Sequence, residues 1–292
     1  MAEAFGLVEV QRALAEDRAR EDVTTRLLGR SAQHAAQARF EAEGRFVVAG
    51  VPILATVFQE LDRAAVVEPE IGEGSWTEAG TTLATVRASV QALLAGERVA
   101  LNFLQRLSGT ATLTRRAVEA VSGTGAKITH TRKTTPGLRT LELYAVGVGG
   151  AVENRASLAD AVLWKDNHWA LLDGCSLRDA LGAAPPPRDT PVIVEAESDE
   201  QLETALSAGV THLLVDNQSP ARVAAWAARA GPTVTIQASG GITPDTARAY
   251  AEAGASLIAI GALTHSAPAA PIRCEIRRSL SAEPQAPARR RG

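Results

Sequence analysis

The segment HTRKTTPGLRTLELYAV sets Arg132, Lys133 and Arg139 within eight residues, adds the hydroxyls of Thr134 and Thr135, and turns at Pro136-Gly137. Arg155 and Lys165 follow, so one stretch of about 35 residues carries five cations. Gathering that much positive charge at the ends of apolar runs is costly unless an anion neutralises it. Lysine is otherwise almost absent: of 30 basic residues only Lys127, Lys133 and Lys165 are lysines. Where arginine supplies the surface charge, a lysine reads as a compact ammonium whose geometry a guanidinium cannot reproduce. Asparagine is as scarce, with Asn102, Asn154, Asn167 and Asn217 the complete set. Three of those four, and two of the three lysines, fall between Arg132 and Asn217.

Two carboxylates, Glu195 and Asp216, close successive apolar runs, and such a pair suits a divalent cation bridged to phosphates or the hydroxyls of a ribose. Ser239-Gly240-Gly241 opens into Ile-Thr-Pro-Asp, and Gly261 ends the next run. Glycine admits close approach of the backbone to an anion, and a helix start donates N–H groups to it, so these positions suit a sugar phosphate. His130 and His168 lie in the cationic block and stand either as structural residues or as substrate contacts. Cys175 and Cys274 lie near no evident base and read as packing residues. With no Ser-His-Asp or Cys-His set apparent, the inventory stabilises charge and position rather than forming a covalent intermediate. A phosphoribosyl donor matches it: a pyrophosphate for the cations, a diol for the carboxylates, a 5′-phosphate for the glycines.

The elements that must position these groups are legible from about Gly125 onward. KITHT, AVLWKD, PVIVEAE, THLLVDN, VTIQASG and SLIAIGA are short β-branched runs. ESDEQLETALSAG and TPDTARAYAEAG, lying between such runs, are amphipathic helices ending in Gly. This rhythm predicts parallel strands with right-handed crossovers and a barrel whose chemistry lies where the strands end. The first hundred residues predict a mixed α/β unit. It has a helix over 5–16, a helix end with polar turn groups at Asp22, Thr24 and Thr25, and paired strands around Gly44 in ARFEAEGRFVVAGV. A helix over VPILATVFQELD, strands and turns in EIGEGSWTEAGTTLATVRAS, and a long helix from about Val90 to Val121 follow. PPPRDTP at 185–191 reads as a loop and SAEPQAPARRRG as a disordered tail.

Composition excludes several classes. Hydrophobic residues at 46% and charged residues at 22% are ordinary for a globular chain, and no apolar run approaches a membrane span. A net charge of −3 gives no support to a nucleic-acid binder, and the acidic N-terminus is not a secretory signal. Two cysteines make no disulfide framework or zinc site. The expectation is a soluble, cytoplasmic α/β protein with neither nucleic acid nor membrane as partner.

GERVALNFLQRLSGTAT, TRKTTPGLRTLELYAV, GVGG…NR, VLWKDNH, VDNQSP, ASGGIT and IAIGALTHSAPA resemble the quinolinate phosphoribosyltransferase family (nicotinate-nucleotide diphosphorylase, carboxylating). The likeness runs from DVTT at 22–25 to Ala269. It implies an N-terminal α/β sandwich over 1–110, with 268–280 packing on it, then an incomplete parallel α/β barrel over 111–267 and a disordered 281–292. It also implies a homodimer, Mg²⁺, and transfer of phosphoribose from phosphoribosyl pyrophosphate to quinolinate with loss of CO₂, giving nicotinate mononucleotide for NAD biosynthesis. By the same resemblance Arg132 and Arg155 hold the carboxylates of the pyridine acid, and Arg98 of ERVALNF reaches in from the neighbouring subunit. Lys133 and Lys165 line the meeting point of acid and ribose, Glu195 and Asp216 face ribose and metal, and Ser239, Gly240, Gly241 and Gly261 cradle the phosphate. His168 and Asn154 complete the substrate contacts. Three positions depart from the family pattern: Glu153-Asn154-Arg155 stands for Asn-His-Arg, His130 for an acidic residue before TRKT, and Ile193 for a second glutamate. They leave the donor site nearly whole and keep two other readings open, a paralogue that uses another aromatic acid and a non-catalytic ligand-binding or scaffold protein.

Overall fold

A computed structural model describes residues 4–172, 174–183 and 190–278, so the expected disordered tail and most of the loop over 185–191 lie outside the described residues. Two compact units emerge. Within the described residues, one comprises 4–45, 50–105 and 271–278, and the other 46–49 and 106–270. Among the described residues no helix is long and apolar enough to cross a membrane.

The first unit is built on an antiparallel sheet in the order Ile272–Arg278, Ala35–Ala42, Thr82–Ser89, Val66–Pro69. Ala36, Ala38, Phe40 and Ala42, alternate residues of one strand, are buried, as a strand covered on one face requires. Phe40 packs against Phe58 of helix Pro52–Leu61 with ring centroids 6.0 Å apart. The paired strands expected around Gly44 do not form: Ala35–Ala42 pairs instead with Thr82–Ser89 and Ile272–Arg278. Gly44 answers to packing rather than to a turn, because a Cβ there would lie 3.0 Å from Pro271 Cγ. Asp22 starts a helix rather than ending one, its carboxylate accepting the N–H groups of Thr24 and Thr25 at 2.9 and 3.1 Å.

The second unit carries six parallel strands in the order Lys127–Thr129, Leu257–Ala259, Thr235–Ser239, His212–Asp216, Val192–Ala196, Val162–Trp164. The two edge strands share no ladder among the described residues, so the barrel is incomplete. The strands are near-continuous apolar runs because both faces are covered: Ile128, Val194, Leu213, Val215, Ile236, Ala238 and Ile258 belong to one core, and Ile193 and Leu214, facing the other way, pack with Ala161 in a second, smaller cluster. The crossover helices begin on polar caps. Ser198 Oγ accepts from Gln201 N at 3.2 Å and Ser219 Oγ from Arg222 N at 3.4 Å, opening helices Asp199–Ser207 and Pro220–Ala230. Parallel pairing in register (Ser239 opposite Asp216, Ala196 opposite Val215) brings the C-terminal strand ends to one rim.

Candidate active site

All six strand ends supply polar groups or glycines to that rim. Glu195, next to last in its strand, is buried at 5% side-chain exposure, and its Oε2 lies 3.0 Å from Lys165 Nζ just beyond Trp164. Burial pushes the Glu195 carboxyl above its ordinary range although the Lys165 ammonium pulls the other way, and Asp216 adds repulsion. Trp169 Nε1 donates to the Glu195 carbonyl at 2.8 Å, tying helix Asp166–Ala170 to the neighbouring strand. His168 is exposed, and its Nδ1 accepts the Lys165 N–H at 3.0 Å while its ring lies 5.4 Å from that of Trp164. The imidazole therefore shapes the turn that carries Lys165.

The carboxylate set is larger than the two residues expected. Oxygens of Glu195, Glu197 and Asp216 lie within 4.8 Å of one another. Glu197 went unnoticed in the sequence, yet the signal was there: residues two apart on a strand share a face. A hard divalent cation takes such all-oxygen ligand sets, so the three fit Mg²⁺.

Beside these carboxylates stand two arginines. Arg155 is half-buried, and burial first, then the charge of Arg132, lowers its affinity for its proton, while Glu195 and Asp160 act in the opposite sense. Arg132 Nε is buried without a hydrogen-bond partner. Arg139, counted among the five cations, serves instead as a brace. It donates to Thr134 Oγ1 at 3.1 Å and the Ala156 carbonyl at 3.0 Å, binding the 132–135 loop to the 153–160 loop. Asn154 bonds its own scaffold, giving Nδ2–H to the His130 carbonyl at 3.0 Å and taking the Arg155 N–H on Oδ1 at 2.8 Å. His130 is 4% exposed, and burial pushes its pKa below the ordinary histidine range.

Gly240 and Gly261 lie just beyond strand ends. Gly240 has φ +96, and a Cβ on it would meet Asn217 Oδ1 at 2.2 Å and Asn217 N at 2.6 Å. Asn217 is itself left-handed at φ 53, donates its N–H to the Ser239 carbonyl at 3.0 Å, and gives Nδ2–H to Asp216 Oδ2 at 2.6 Å. Two strand ends therefore meet backbone to backbone. At Gly261 the nearest atoms to an added Cβ are His265 Nε2 and Lys133 Cδ at 3.2 Å, so the Lys133 side chain passes over this strand end.

A second group missed in the sequence holds the Lys133 loop. Glu142 is fully buried on helix Arg139–Val148 and accepts from Arg106 Nη2 at 2.7 Å, Thr135 Oγ1 at 2.7 Å and Thr135 N at 2.9 Å. Thr264 Oγ1 donates to the Lys133 carbonyl at 2.8 Å. A glutamate inside an apolar helical run, with an arginine 36 residues earlier, gives no local sign of this pairing. Arg98 is exposed on helix Val90–Ala120, within the first unit. Cys175, expected to pack, is exposed.

Residues 22–108 match the N-terminal domain of quinolinate phosphoribosyl transferase, and residues 110–274 match its C-terminal domain. The chain belongs to the quinolinate phosphoribosyl transferase family. It is a phosphoribosyltransferase enzyme, and the rim residues from Arg132 to Gly261 all fall within the C-terminal match. A nicotinate-nucleotide pyrophosphorylase [carboxylating] of Mycobacterium leprae is 42% identical over 229 residues, 75% of this chain and 79% of the relative. The human protein of that name is 38% identical, with 80% of each chain covered. Among solved structures, a nicotinate-nucleotide pyrophosphorylase from Ehrlichia chaffeensis superposes with a TM-score of 0.87 at 33% identity, over 95% of this chain and all of that one. The two-domain α/β architecture is thus that of the family.

Proposed function

We propose that this chain transfers phosphoribose from phosphoribosyl pyrophosphate to quinolinate and releases CO₂ and pyrophosphate, giving nicotinate mononucleotide. The observation that carries this reading is the pair Arg132 and Arg155. Two neighbouring guanidinium groups, one half-buried and pushed toward its neutral form, the other with a buried Nε lacking a partner, form a site that an acid with two carboxylates would relieve.

Lys133 and Lys165 flank the place where the pyridine nitrogen meets C1 of the ribose. The N–C1 bond forms as the C1–O bond to pyrophosphate breaks, and positive charge grows on the sugar. Glu195, kept close by Lys165, faces that charge, and Asp216 accepts from the ribose diol. Once the nitrogen is ribosylated, CO₂ leaves, the electron pair of the C2–carboxylate bond stays on C2 as an ylide stabilised by the adjacent pyridinium charge, and C2 takes a proton from water. Ser239, Gly240, Gly241 and Gly261 hold the 5′-phosphate on backbone N–H groups, with Lys133 above Gly261. Glu195, Glu197 and Asp216 would hold Mg²⁺, which when bound neutralises the departing pyrophosphate. Arg98, exposed on its helix, would complete the acid pocket of a second copy in a homodimer.

The test is turnover with phosphoribosyl pyrophosphate and Mg²⁺, offering quinolinate and then a panel of pyridine and benzoic mono- and diacids, with products read by mass. Nicotinate mononucleotide from quinolinate is the expected product. A different nucleotide made faster would move the chain to another acid, and donor binding without turnover of any acid would make it a non-catalytic relative.

A further inference from the structure

His130 sits at the end of strand Lys127–Thr129, one residue before Thr131-Arg132-Lys133, and is almost wholly buried. Its neighbour across the rim is segment 152–155, which runs beside the strand as a short parallel extension. Val152 donates its N–H to the Ile128 carbonyl at 2.9 Å, and Thr129 Oγ1 donates to the Val152 carbonyl at 2.9 Å. One step further a ladder would need another backbone acceptor, and the chain supplies a side chain instead. Asn154 N–H donates to His130 Nε2 at 3.1 Å, while Asn154 Nδ2–H returns to the His130 carbonyl at 3.0 Å. Asn154 Oδ1 then takes the N–H of Arg155 at 2.8 Å. An N–H aimed at Nε2 requires a lone pair there, so the ring is neutral with its proton on Nδ1.

We propose that His130 is a positioning residue for the acid pocket: through Asn154 its imidazole fixes the backbone that presents Arg155 beside Arg132. The two arginines repel each other, one on the strand side and one on the loop side, while the charges of Glu195 and Asp160 act against that repulsion. Two reciprocal hydrogen bonds between His130 and Asn154 hold the loop end in place, and a third, from Arg155 N–H to Asn154 Oδ1, carries that order to Arg155. Asn154 is consequently part of the frame, its amide oxygen and one amide proton committed, and the two guanidinium groups are left to take up the acid.

This inference rests on the acid-binding role given above to Arg132 and Arg155, so two readouts separate them. His130→Phe keeps the ring volume without the acceptor, and His130→Gln places Oε1 near the position of Nε2. The expected result for His130→Phe is a rise of about tenfold in KM for quinolinate, the worth of one buried hydrogen bond, with kcat and the KM for phosphoribosyl pyrophosphate within about twofold of the parent. His130→Gln should recover most of that loss. In hydrogen exchange, a peptide spanning 152–156 should lose protection in His130→Phe and keep it in His130→Gln, while strand 127–129 exchanges as in the parent. Equal losses for both substrates, no change in KM for the acid, or unchanged exchange at 152–156 in His130→Phe would each overturn the proposal. If the parent turns over no quinolinate, the functional reading fails, and exchange in the two variants still decides the role of His130.

Discussion

Lys165 Nζ lies 3.0 Å from Glu195 Oε2, and the two members of the pair occupy different media: the carboxylate is buried, the ammonium 44% exposed. The buried partner dominates, so the Glu195 carboxyl holds its proton more readily in the folded chain than in the unfolded one. Ionising it therefore weakens the fold above the ordinary carboxylate range and has no effect well below it. Glu195→Gln should raise Tm by about 2 °C at pH 8, show no gain at pH 4, and lower kcat by about 100-fold or more. Melting curves at the two pH values with initial rates at pH 8 check this; a lower Tm for the variant at pH 8 would contradict it.

At the phosphate end, Gly240→Ala adds a Cβ 2.2 Å from Asn217 Oδ1 and 2.6 Å from Asn217 N, in a backbone with φ +96. The side chain of Asn217 can swing away but its backbone cannot. We expect a stability loss of about 1–3 kcal/mol by urea denaturation and a rise of about tenfold in KM for phosphoribosyl pyrophosphate. An alanine variant with parental KM would show that this approach does not serve the phosphate.

Glu142→Ala strips Arg106, Thr135 Oγ1 and Thr135 N of a shared acceptor inside the second unit. The cost should be about 3 kcal/mol of unfolding free energy, because the part-buried Arg106 guanidinium and two groups of Thr135 lose their common acceptor at once. kcat should fall along with stability at temperatures where the variant remains folded, since Thr135 ends the loop that carries Lys133. Retention of full kcat in a folded Glu142→Ala protein would detach the hub from catalysis.

Glu197, with Glu195 and Asp216, makes the oxygen set offered to a cation. Chelation with EDTA should abolish turnover and added Mg²⁺ restore it. Glu197→Gln should raise the Mg²⁺ needed for half-maximal rate by about tenfold, with KM for the acid little changed. Full activity in EDTA would remove the metal from the scheme.

The thiols provide a check on packing in the first unit. Burial pushes the Cys274 thiol up to about 12, with the charge of Glu97 acting in the same sense, whereas Cys175 is exposed. Iodoacetamide at pH 8 should label Cys175 in the native protein and reach Cys274 only after unfolding. Native labelling of Cys274 at a comparable rate would show that strand Ile272–Arg278 opens readily.

Much of the catalytic half was legible in one dimension. The parallel strands, the crossover helices, and the placement of Glu195, Asp216, Gly240 and Gly261 at strand ends all follow from local periodicity and glycine spacing, because a βα unit is built from contacts between near neighbours in the chain. Composition picked out three lysines in an arginine-rich chain, and position in the cationic block set Lys133 and Lys165 apart from Lys127.

What the tertiary structure alone decided concerns pairs far apart in sequence. One of the two partners of Ala35–Ala42 is Ile272–Arg278, more than two hundred residues on, where local pattern favoured a neighbour across Gly44. Glu142 meets Arg106, Asn154 meets His130, and Arg139 leaves the cationic group to brace two loops. Charge and hydrogen-bonding capacity are properties of a residue and can be read in a string. Whether a given cation is spent on the frame or kept for a ligand depends on which acceptor lies about 3 Å away, and chain closure in three dimensions sets that distance.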